Sequence, residues 1–281
     1  MKTSSVKKSI PGKSFFLVCT LVLLSVSCCR RPSDEWKLGV QSYTFHKFTC
    51  VETLDKLQTL GVNCVEVYFG QRLGEGFGDQ TMDFRMDEAT RTKLREIFEA
   101  KNVTVVACGV VICSSEEEWE QLFRFAQSMG ISLITCEPER KHLNFVEQLT
   151  GKYAIDIAVH NHPQPSAYWH PDTLMAALEG RSDRMGVCAD VGHWKREGID
   201  PVKALEQVSP RLKSLHFKDI KAPEAGEAEQ HDVIWGTGVC DVKGMLEVLR
   251  KNKFNGLMSI EYEYNWDNSV PDIQQSIKIL Q

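Results

Sequence analysis

The segment AIDIAVHNH (154–162) combines a short apolar run with two histidines at its C-terminal end. Its isoleucine and valine residues favour a buried β-strand. Side chains two residues apart on a strand point to the same face, so His160 and His162 should point in the same direction. The segment therefore predicts a strand that brings two imidazoles to one place.

Seven similar apolar runs occur along the chain, at 37–45, 62–69, 103–110, 131–137, 184–193, 212–219 and 256–263. Segments with helical spacing lie between them, at 51–60, 88–101, 116–129, 171–179, 200–208, 241–252 and 269–280. Near-continuous apolar strands that alternate with helices indicate a parallel sheet covered on both faces. Eight such units predict an α/β fold of the (β/α)8 TIM-barrel type.

Glycines fall where predicted helices hand over to the next strand, at Gly61, Gly130 and Gly256, which is a common place for a helix C-terminus. The alternative architecture is an open doubly wound sheet. Such sheets often carry a glycine-rich phosphate loop after the first strand, and neither G-x-G-x-x-G nor G-x-x-x-x-G-K-[ST] occurs there. The barrel is therefore the preferred prediction.

The N-terminal residues have the features of a signal peptide, because four lysines precede an apolar run at 15–26 that is short for a membrane span. Small residues before Cys28 resemble a bacterial lipoprotein signal, in which this cysteine is acylated. We predict a signal peptide at 1–28, a linker at 29–36 and a catalytic barrel at 37–281. The protein would then be exported, either periplasmic or anchored to the envelope. An ordinary secretory signal or a short anchor is the alternative.

Composition argues against some partners and cofactors. The formal net charge is −5, and loss of the four N-terminal lysines would make it −9, which disfavours nucleic acid as a partner. Seven cysteines lie beyond the signal region, an odd number without a C-x-x-C pair. Several lie inside apolar runs, where cysteine acts as a small buried hydrophobe, so a disulfide framework or zinc ribbon is not expected.

Polar residues cluster at the predicted C-terminal strand ends, where TIM barrels carry their active sites. These residues are Tyr43, His46, Glu66, Cys108, Glu137, His160, His162, Asp190, His193, His216, Lys218, Glu261 and Glu263. One buried histidine is usually a satisfied core residue. Five strand-end histidines with Asp190 and Glu261 instead predict a divalent metal site.

Four motifs in this order resemble the xylose isomerase-like TIM barrels grouped as sugar phosphate isomerases/epimerases. They are DRMGVCADVGHW (183–194), LHFKD (215–219), WGTGVCD (235–241) and SIEYE (259–263), and the resemblance covers 37–281. In that family one divalent ion, often manganese, is held by Glu, Asp, His and Glu at the ends of strands five to eight. The resemblance implies Asp190, His216 and Glu261 as three of these ligands.

The fourth ligand position departs from the family pattern. Many relatives have Glu-Asn-His where this chain has His160-Asn161-His162, so His160 would replace a carboxylate with a neutral imidazole. Imidazole suits manganese, iron or zinc better than magnesium or calcium, and cobalt is also compatible. Glu137 is a candidate substitute ligand or catalytic carboxylate.

Candidate roles follow for the other residues at the strand ends. Glu261, His162, Glu137 and Lys218 are candidate catalytic residues, acting as bases, acids or partners of an oxyanion. A simple ion pair with Asp219 or Glu263 is the alternative for Lys218, and core packing is the alternative for His162. Candidate substrate contacts are His193, Tyr43, Trp194 and Glu66.

The preferred function is a metal-dependent isomerase or epimerase that abstracts a proton next to the carbonyl of a non-phosphorylated sugar. A small-molecule sugar or glycoside is the expected partner, with the membrane contacted only through the lipid anchor. A lyase or hydratase acting on 3-keto sugars or 3-keto-glycosides is the main alternative, since elimination needs one base rather than two. A non-catalytic sugar-binding lipoprotein is another. An endonuclease IV-like nuclease is disfavoured, because strands two and three end in Glu66 and Cys108 rather than in histidines.

Overall fold

The structure is a computed structural model that describes Met1, residues 36–222 and residues 230–280. The chain divides into the units Met1–Ser33 and Asp34–Gln281, and all elements below belong to the second. The predicted signal peptide with its lipidation site Cys28 lies outside the described residues. None of the described helices is both long and apolar enough to span a bilayer.

Eight parallel strands close into a barrel, which confirms the predicted fold. Their order around the barrel is β1-β2-β3-β4-β5-β6-β7-β10. The strands are β1 Lys37–Gln41, β2 Cys64–Val67, β3 Thr104–Val111, β4 Leu133–Cys136, β5 Asp156–His160, β6 Met185–Asp190, β7 Leu212–Phe217 and β10 Leu257–Ile260. Between β7 and β10, a two-stranded antiparallel sheet pairs β8 Asp219–Ile220 with β9 Asp232–Val233.

Helices lie between the barrel strands and cover their outer face. They are α1 Cys50–Leu60, α2 Glu88–Ala100, α3 Glu116–Ser128, α4 Leu143–Tyr153, α5 Pro171–Leu178, α6 Val191–Arg196, α7 Pro201–Val208, α8 Val242–Lys251 and α9 Val270–Ile277. Because helices and barrel interior cover both faces, strand residues such as Ile157, Val187 and Leu215 are fully buried.

Local sequence explains where α1 begins and ends. Thr49 and Glu52 form a reciprocal capping box at its first turn, and Gly61 ends it in a left-handed conformation with φ of 69°. A side-chain cap of this kind stabilises a helix by about 1 kcal/mol. The predicted role of Gly61 as a helix-ending residue is therefore confirmed.

Three details differ from the sequence-based expectations. Helices α4 and α6 were not among the predicted segments, since α6 has only six residues and α4 begins without a side-chain cap. Gly256 does not end a helix, because α8 already stops at Lys251. Gly256 instead allows a close approach, since a Cβ there would lie 2.0 Å from the carbonyl oxygen of Lys213.

Strand register places the predicted ligands at one level of the barrel. Asp190 of β6 is paired with His216 of β7, and His216 is paired with Ser259 of β10. His160 ends β5 beside Cys188 of β6. The C-terminal ends of neighbouring strands therefore deliver these side chains to a common place.

Candidate metal and active site

Four predicted ligands meet at the C-terminal mouth of the barrel. His160, Asp190 and His216 are at most 1% exposed, and Glu261, directly after β10, is 7% exposed. His160 Nε2 lies 3.1 Å from His216 Nδ1 and 3.7 Å from Asp190 Oδ2. His216 Nδ1 also lies 3.2 Å from Glu261 Oε2. The four side chains therefore form one continuous cluster of donor atoms.

These spacings, 3.1, 3.2 and 3.7 Å, are close to those expected of ligands around one ion. Metal–ligand bonds of about 2.0–2.2 Å in a tetrahedral arrangement separate neighbouring donor atoms by roughly 3.3–3.6 Å. The donor atoms of Asp190, His216 and Glu261 all lie within 4.8 Å of one another. Two other sets of three residues meet the same limit. One consists of His160, Cys188 and His216, and the other consists of His160, His162 and His193. Only the first of the three contains carboxylates, which hard divalent ions prefer.

A carboxylate lies behind each of the two buried histidines. Glu66 Oε2 is 3.1 Å from His216 Nε2 and also accepts a hydrogen bond from Ser259 Oγ at 2.7 Å. Glu137 Oε1 is 3.3 Å from His160 Nδ1. An imidazole that donates one N–H to a carboxylate keeps its other nitrogen as a lone pair for a metal. Nδ1 of His216 and Nε2 of His160 then face each other 3.1 Å apart, on the sides of the two rings that point away from Glu66 and Glu137.

Lys218 places its ammonium group among the carboxylates. It is fully buried, and its Nζ lies 3.0 Å from Asp190 Oδ2, 2.8 Å from Glu261 Oε2 and 2.8 Å from Glu263 Oε2. The ion pair with Glu263, given above as the alternative role, is thus present. The one with Asp219 is not, because the Asp219 carboxylate instead accepts backbone N–H groups of residues 236, 238 and 240.

One buried oxygen in the cluster lacks a well-aligned hydrogen bond. Asp190 Oδ2 has no partner of good hydrogen-bond geometry, even though Lys218 Nζ is within 3.0 Å. Its sister atom Oδ1 accepts the backbone N–H of His193 at 2.7 Å. A buried carboxylate oxygen without a well-aligned hydrogen bond, beside two imidazole nitrogens that face each other, fits a bound cation. The residues present therefore fit a divalent metal ion.

The charge state of the cluster also suits a cation. Burial raises the pKa of the Asp190 and Glu261 carboxyl groups, but neighbouring positive groups outweigh burial and hold both pKa values below the usual range. Burial lowers the pKa of the Lys218 ammonium, yet the carboxylates around it raise that pKa above its usual value. Metal ligands must be deprotonated, and both carboxylates meet that condition at neutral pH. At His216, burial is outweighed by neighbouring groups that raise the pKa of its imidazole, so metal binding there would displace a proton.

His162 forms a second, more accessible unit with Glu137. His162 Nδ1 contacts Glu137 Oε1, while Ser166 Oγ donates to Glu137 Oε2 at 2.8 Å. The side chain of His162 is 45% exposed, and its ring centre lies 4.5 Å from that of His160. Glu137 therefore contacts an imidazole of the metal cluster and an imidazole that faces the open mouth.

The predicted substrate contacts fall into two groups. Tyr43 is 39% exposed, and the His193 side chain is 16% exposed with Nε2 3.4 Å from Asp190 Oδ2. Burial lowers the pKa of His193 to about 3, although the neighbouring Asp190 carboxylate acts in the opposite direction. Trp194 and Glu66 are fully buried, Trp194 in the hydrophobic core and Glu66 behind His216. Neither of these two is accessible to a substrate, which corrects the expectation.

Asn161 is a site residue to which the sequence analysis assigned no role. Its side chain donates to Asp190 O at 2.9 Å and accepts from Asp190 N at 2.8 Å, which fixes the end of β6 against β5. Its position between His160 and His162 was the available signal. The polar side chain of a fully buried residue between two site residues needs a partner nearby.

Comparison with known proteins identifies relatives that match part or most of the chain. A family model described as xylose isomerase-like TIM barrel matches residues 54–281. An inosose dehydratase of Lacticaseibacillus casei is 25% identical over 104 residues, which cover 33% of this chain and only 34% of that protein. An inosose dehydratase of Histophilus somni (strain 129Pt) is 21% identical over 227 residues, which cover 74% of this chain and 72% of that protein.

Solved structures share the fold over most of the chain. An uncharacterised protein from Parabacteroides distasonis ATCC 8503 is 38% identical with a TM-score of 0.72, covering 88% of this chain and 98% of its own. The probable 3-DHS dehydratase AsbF from Bacillus anthracis has 15% identity and a TM-score of 0.66, over 87% and 98%. The IOLI protein with a bound zinc atom has 16% identity and a TM-score of 0.67, over 87% and 96%.

Proposed function

The chain belongs to the xylose isomerase-like TIM barrel family, and we propose that it is a divalent-metal-dependent enzyme that removes the proton beside the carbonyl group of a non-phosphorylated sugar. The observation that carries this proposal is the buried donor cluster. Its neighbouring donor atoms lie 3.1 to 3.7 Å apart, at the end of the barrel where such enzymes bind substrates.

His160, Asp190, His216 and Glu261 would hold the ion. When bound, a divalent ion supplies positive charge that stabilises the negative charge developing on a sugar carbonyl oxygen as the adjacent C–H bond loses its proton. Two histidines and two carboxylates favour manganese, iron, cobalt or zinc. Glu66 and Glu137 orient the two imidazoles from behind.

His162 is the candidate general base. It is the most exposed imidazole at the metal cluster, and contact with the Glu137 carboxylate fixes its ring and stabilises the positive charge that proton uptake creates. Proton removal by His162 would break the C–H bond. For elimination, the electron pair forms a C=C bond as the C–O bond at the β-carbon breaks, and the leaving oxygen takes up the proton.

Elimination is the outcome that we favour. His160 stands where many family members carry a glutamate, so the pair of opposed metal-bound glutamates that serves epimerisation is missing. The similarity to inosose dehydratases and to a probable 3-DHS dehydratase supports a lyase. Isomerisation or epimerisation is the second candidate. Glu261 follows β10, which lies three strands from β5 around the barrel, so Glu261 could exchange a proton on a face of the sugar ring that His162 does not reach.

The substrate is proposed to lack phosphate. Phosphate is commonly bound by arginine side chains, whereas the guanidinium of Arg196 is already paired with the Asp232 carboxylate, to which it donates at 2.7 Å. The predicted export of the chain supports the same conclusion, since phosphorylated sugars are mostly cytosolic.

Deuterium exchange tests the proposed chemistry directly. The metal-loaded protein is incubated in D2O with the 3-keto derivative of methyl β-D-glucopyranoside, and the products are analysed by NMR and mass spectrometry. We expect metal-dependent exchange of the proton beside the ketone, followed by release of methanol. Exchange with an unchanged elemental composition would support epimerisation instead, and absence of any exchange would exclude both chemistries for keto sugars of this class.

The substitution His160→Glu distinguishes the two outcomes. The protein should keep its metal, because glutamate is an adequate oxygen ligand. We expect elimination to slow by about tenfold or more, about 1.4 kcal/mol in the barrier, because a carboxylate there faces Glu137 and weakens the positive charge of the ion. If the enzyme is instead an epimerase, its activity should be preserved or increased in this variant, because the second metal-bound glutamate is restored. Elimination at the unaltered rate would show that the imidazole is incidental.

A further inference from the structure

Exposed apolar side chains concentrate around the mouth of the barrel. Among the described residues beyond Met1, three large hydrophobic side chains are strongly exposed, Tyr43 at 39%, Ile112 at 65% and Tyr264 at 46%. Each follows the C-terminal end of a barrel strand, β1, β3 and β10 respectively. Large apolar groups exposed together around a polar site often mark a binding surface.

The mouth is divided into an ionic half and an apolar half. The proposed metal ligands come from β5, β6, β7 and β10, whereas the exposed apolar residues follow β10, β1 and β3, with the half-buried Tyr68 after β2. These last four strands are consecutive around the barrel. We call the set Tyr43, Tyr68, Ile112, Tyr264 and Trp266 the apolar arc.

Aromatic contacts hold the central part of the arc in place. Tyr43 stacks on His46 with ring centres 4.9 Å apart. Trp266 packs in a T-shaped arrangement against both rings, with ring centres 5.9 Å from Tyr43 and 4.2 Å from His46. Tyr43 also meets Tyr68 edge to face at 5.2 Å. Rings that support one another in this way offer a preformed surface, so a ligand need not order them on binding.

The arc is continuous with the proposed metal site through the loop after β10. That loop carries the ligand Glu261, then Glu263, which pairs with Lys218 at 2.8 Å, and then Tyr264 and Trp266. Tyr264 is itself stacked on His231 with ring centres 4.0 Å apart. The ligand Glu261 and the aromatic residues Tyr264 and Trp266 are therefore carried by one segment at the barrel mouth.

We infer that the apolar arc is a subsite for a second ring, so that the substrate is a glycoside rather than a free monosaccharide. This inference rests on the proposed function. A pyranose presents a face of C–H groups that an aromatic ring covers well, and its hydroxyl groups remain at the edge in contact with water. The reacting ring would lie over the ionic half of the mouth, and the ring joined to it through the glycosidic oxygen would lie on the arc.

The test compares two substrates that differ by one ring. The substrates are the 3-keto derivative of methyl β-D-glucopyranoside and cellobiose with a 3-keto group on its non-reducing ring. Each is supplied to the metal-loaded full-length protein, and kcat/KM is measured. We expect the disaccharide to be preferred by about tenfold or more, the size of effect that one or two aromatic contacts produce. Tyr43→Ala and Tyr264→Ala should each reduce this preference about threefold or more.

Tyr153→Ala is the matched control, because Tyr153 ends α4, outside the mouth, and contacts Glu120. Its substrate preference should equal that of the wild type. A preference unaltered in both arc variants, or no preference in the wild type, would overturn the subsite. Calorimetric binding of cellobiose against methyl β-D-glucopyranoside makes the same comparison without turnover. Loss of the proposed activity and loss of the subsite are therefore separate results.

Discussion

Replacing Asp190 by alanine should abolish metal binding and, with it, turnover. Asp190 supplies a buried carboxylate whose Oδ2 lies 3.7 Å from His160 Nε2, 3.4 Å from His193 Nε2 and 3.0 Å from Lys218 Nζ. Substitution of residues that only orient ligands already costs about 10–100-fold in metal affinity or activity. We therefore expect the affinity of a direct charged ligand to fall more than a hundredfold. Metal content after dialysis and calorimetric titration with Mn²⁺ measure it.

Two further variants separate loss of the ligand from loss of the fold. Asp190 Oδ1 also caps α6 by accepting the N–H of His193, and Asp190→Asn keeps that hydrogen bond while it removes the charge. It should therefore fold normally and still bind metal poorly. Asp200→Ala removes a capping carboxylate from α7 that contacts Val202 and Lys203, and it should leave metal content unaltered. Wild-type metal content in both Asp190 variants would refute the assigned ligand set.

The barrel could be predicted because its signal is repeated. Eight apolar runs alternate with amphipathic segments, so the architecture was predicted even though helices α4 and α6 were missed and the limits of other elements differ. The donor cluster could be predicted for a related reason, since parallel strands of a barrel end at one mouth and residues two apart share a face. His160 and His216 were placed correctly at that mouth by this rule alone.

The depth of a side chain in the barrel could not be predicted in the same way. Glu66 was expected at the surface of the mouth, but a register shift lies between Val65 and Glu66 in the pairing of β2 with β3. Such a shift depends on how neighbouring strands stagger, which no single strand encodes. Trp194 was misplaced because the short helix α6 starts directly after Asp190 and turns the indole into the core.

The contacts between pairs of site residues could not be predicted from the sequence either. Glu137 was expected as a ligand or a catalytic carboxylate, and the structure places it against the remote nitrogen of His160 and against His162. The chain separations are 23 and 25 residues, so only the closed barrel brings these groups together. The same holds for Glu66 and His216, which are 150 residues apart.

Replacing His162 by alanine should lower turnover by about a hundredfold or more, the usual contribution of a positioned general base. Metal content should stay at the wild-type level, because His162 is 45% exposed and the cluster of Asp190, His216 and Glu261 does not include it. The alternative set of His160, His162 and His193 makes the opposite prediction, since removal of one of three imidazole ligands would release the ion. Metal analysis of this variant therefore decides between the two sets.

Chemical rescue then distinguishes a base from a residue that only supports the fold. The alanine variant leaves a space that solvent can enter, so added imidazole should occupy it beside Glu137 and restore part of the turnover. Rescue should strengthen with the fraction of neutral imidazole, because only that form accepts a proton. Glu137→Gln keeps the shape of the Glu137 side chain but removes its charge, and it should slow turnover less than His162→Ala does. In the double variant His162→Ala/Glu137→Gln, added imidazole should restore less turnover than in His162→Ala alone. Full turnover by the alanine variant without imidazole would exclude His162 as the base and leave Glu261 as the candidate.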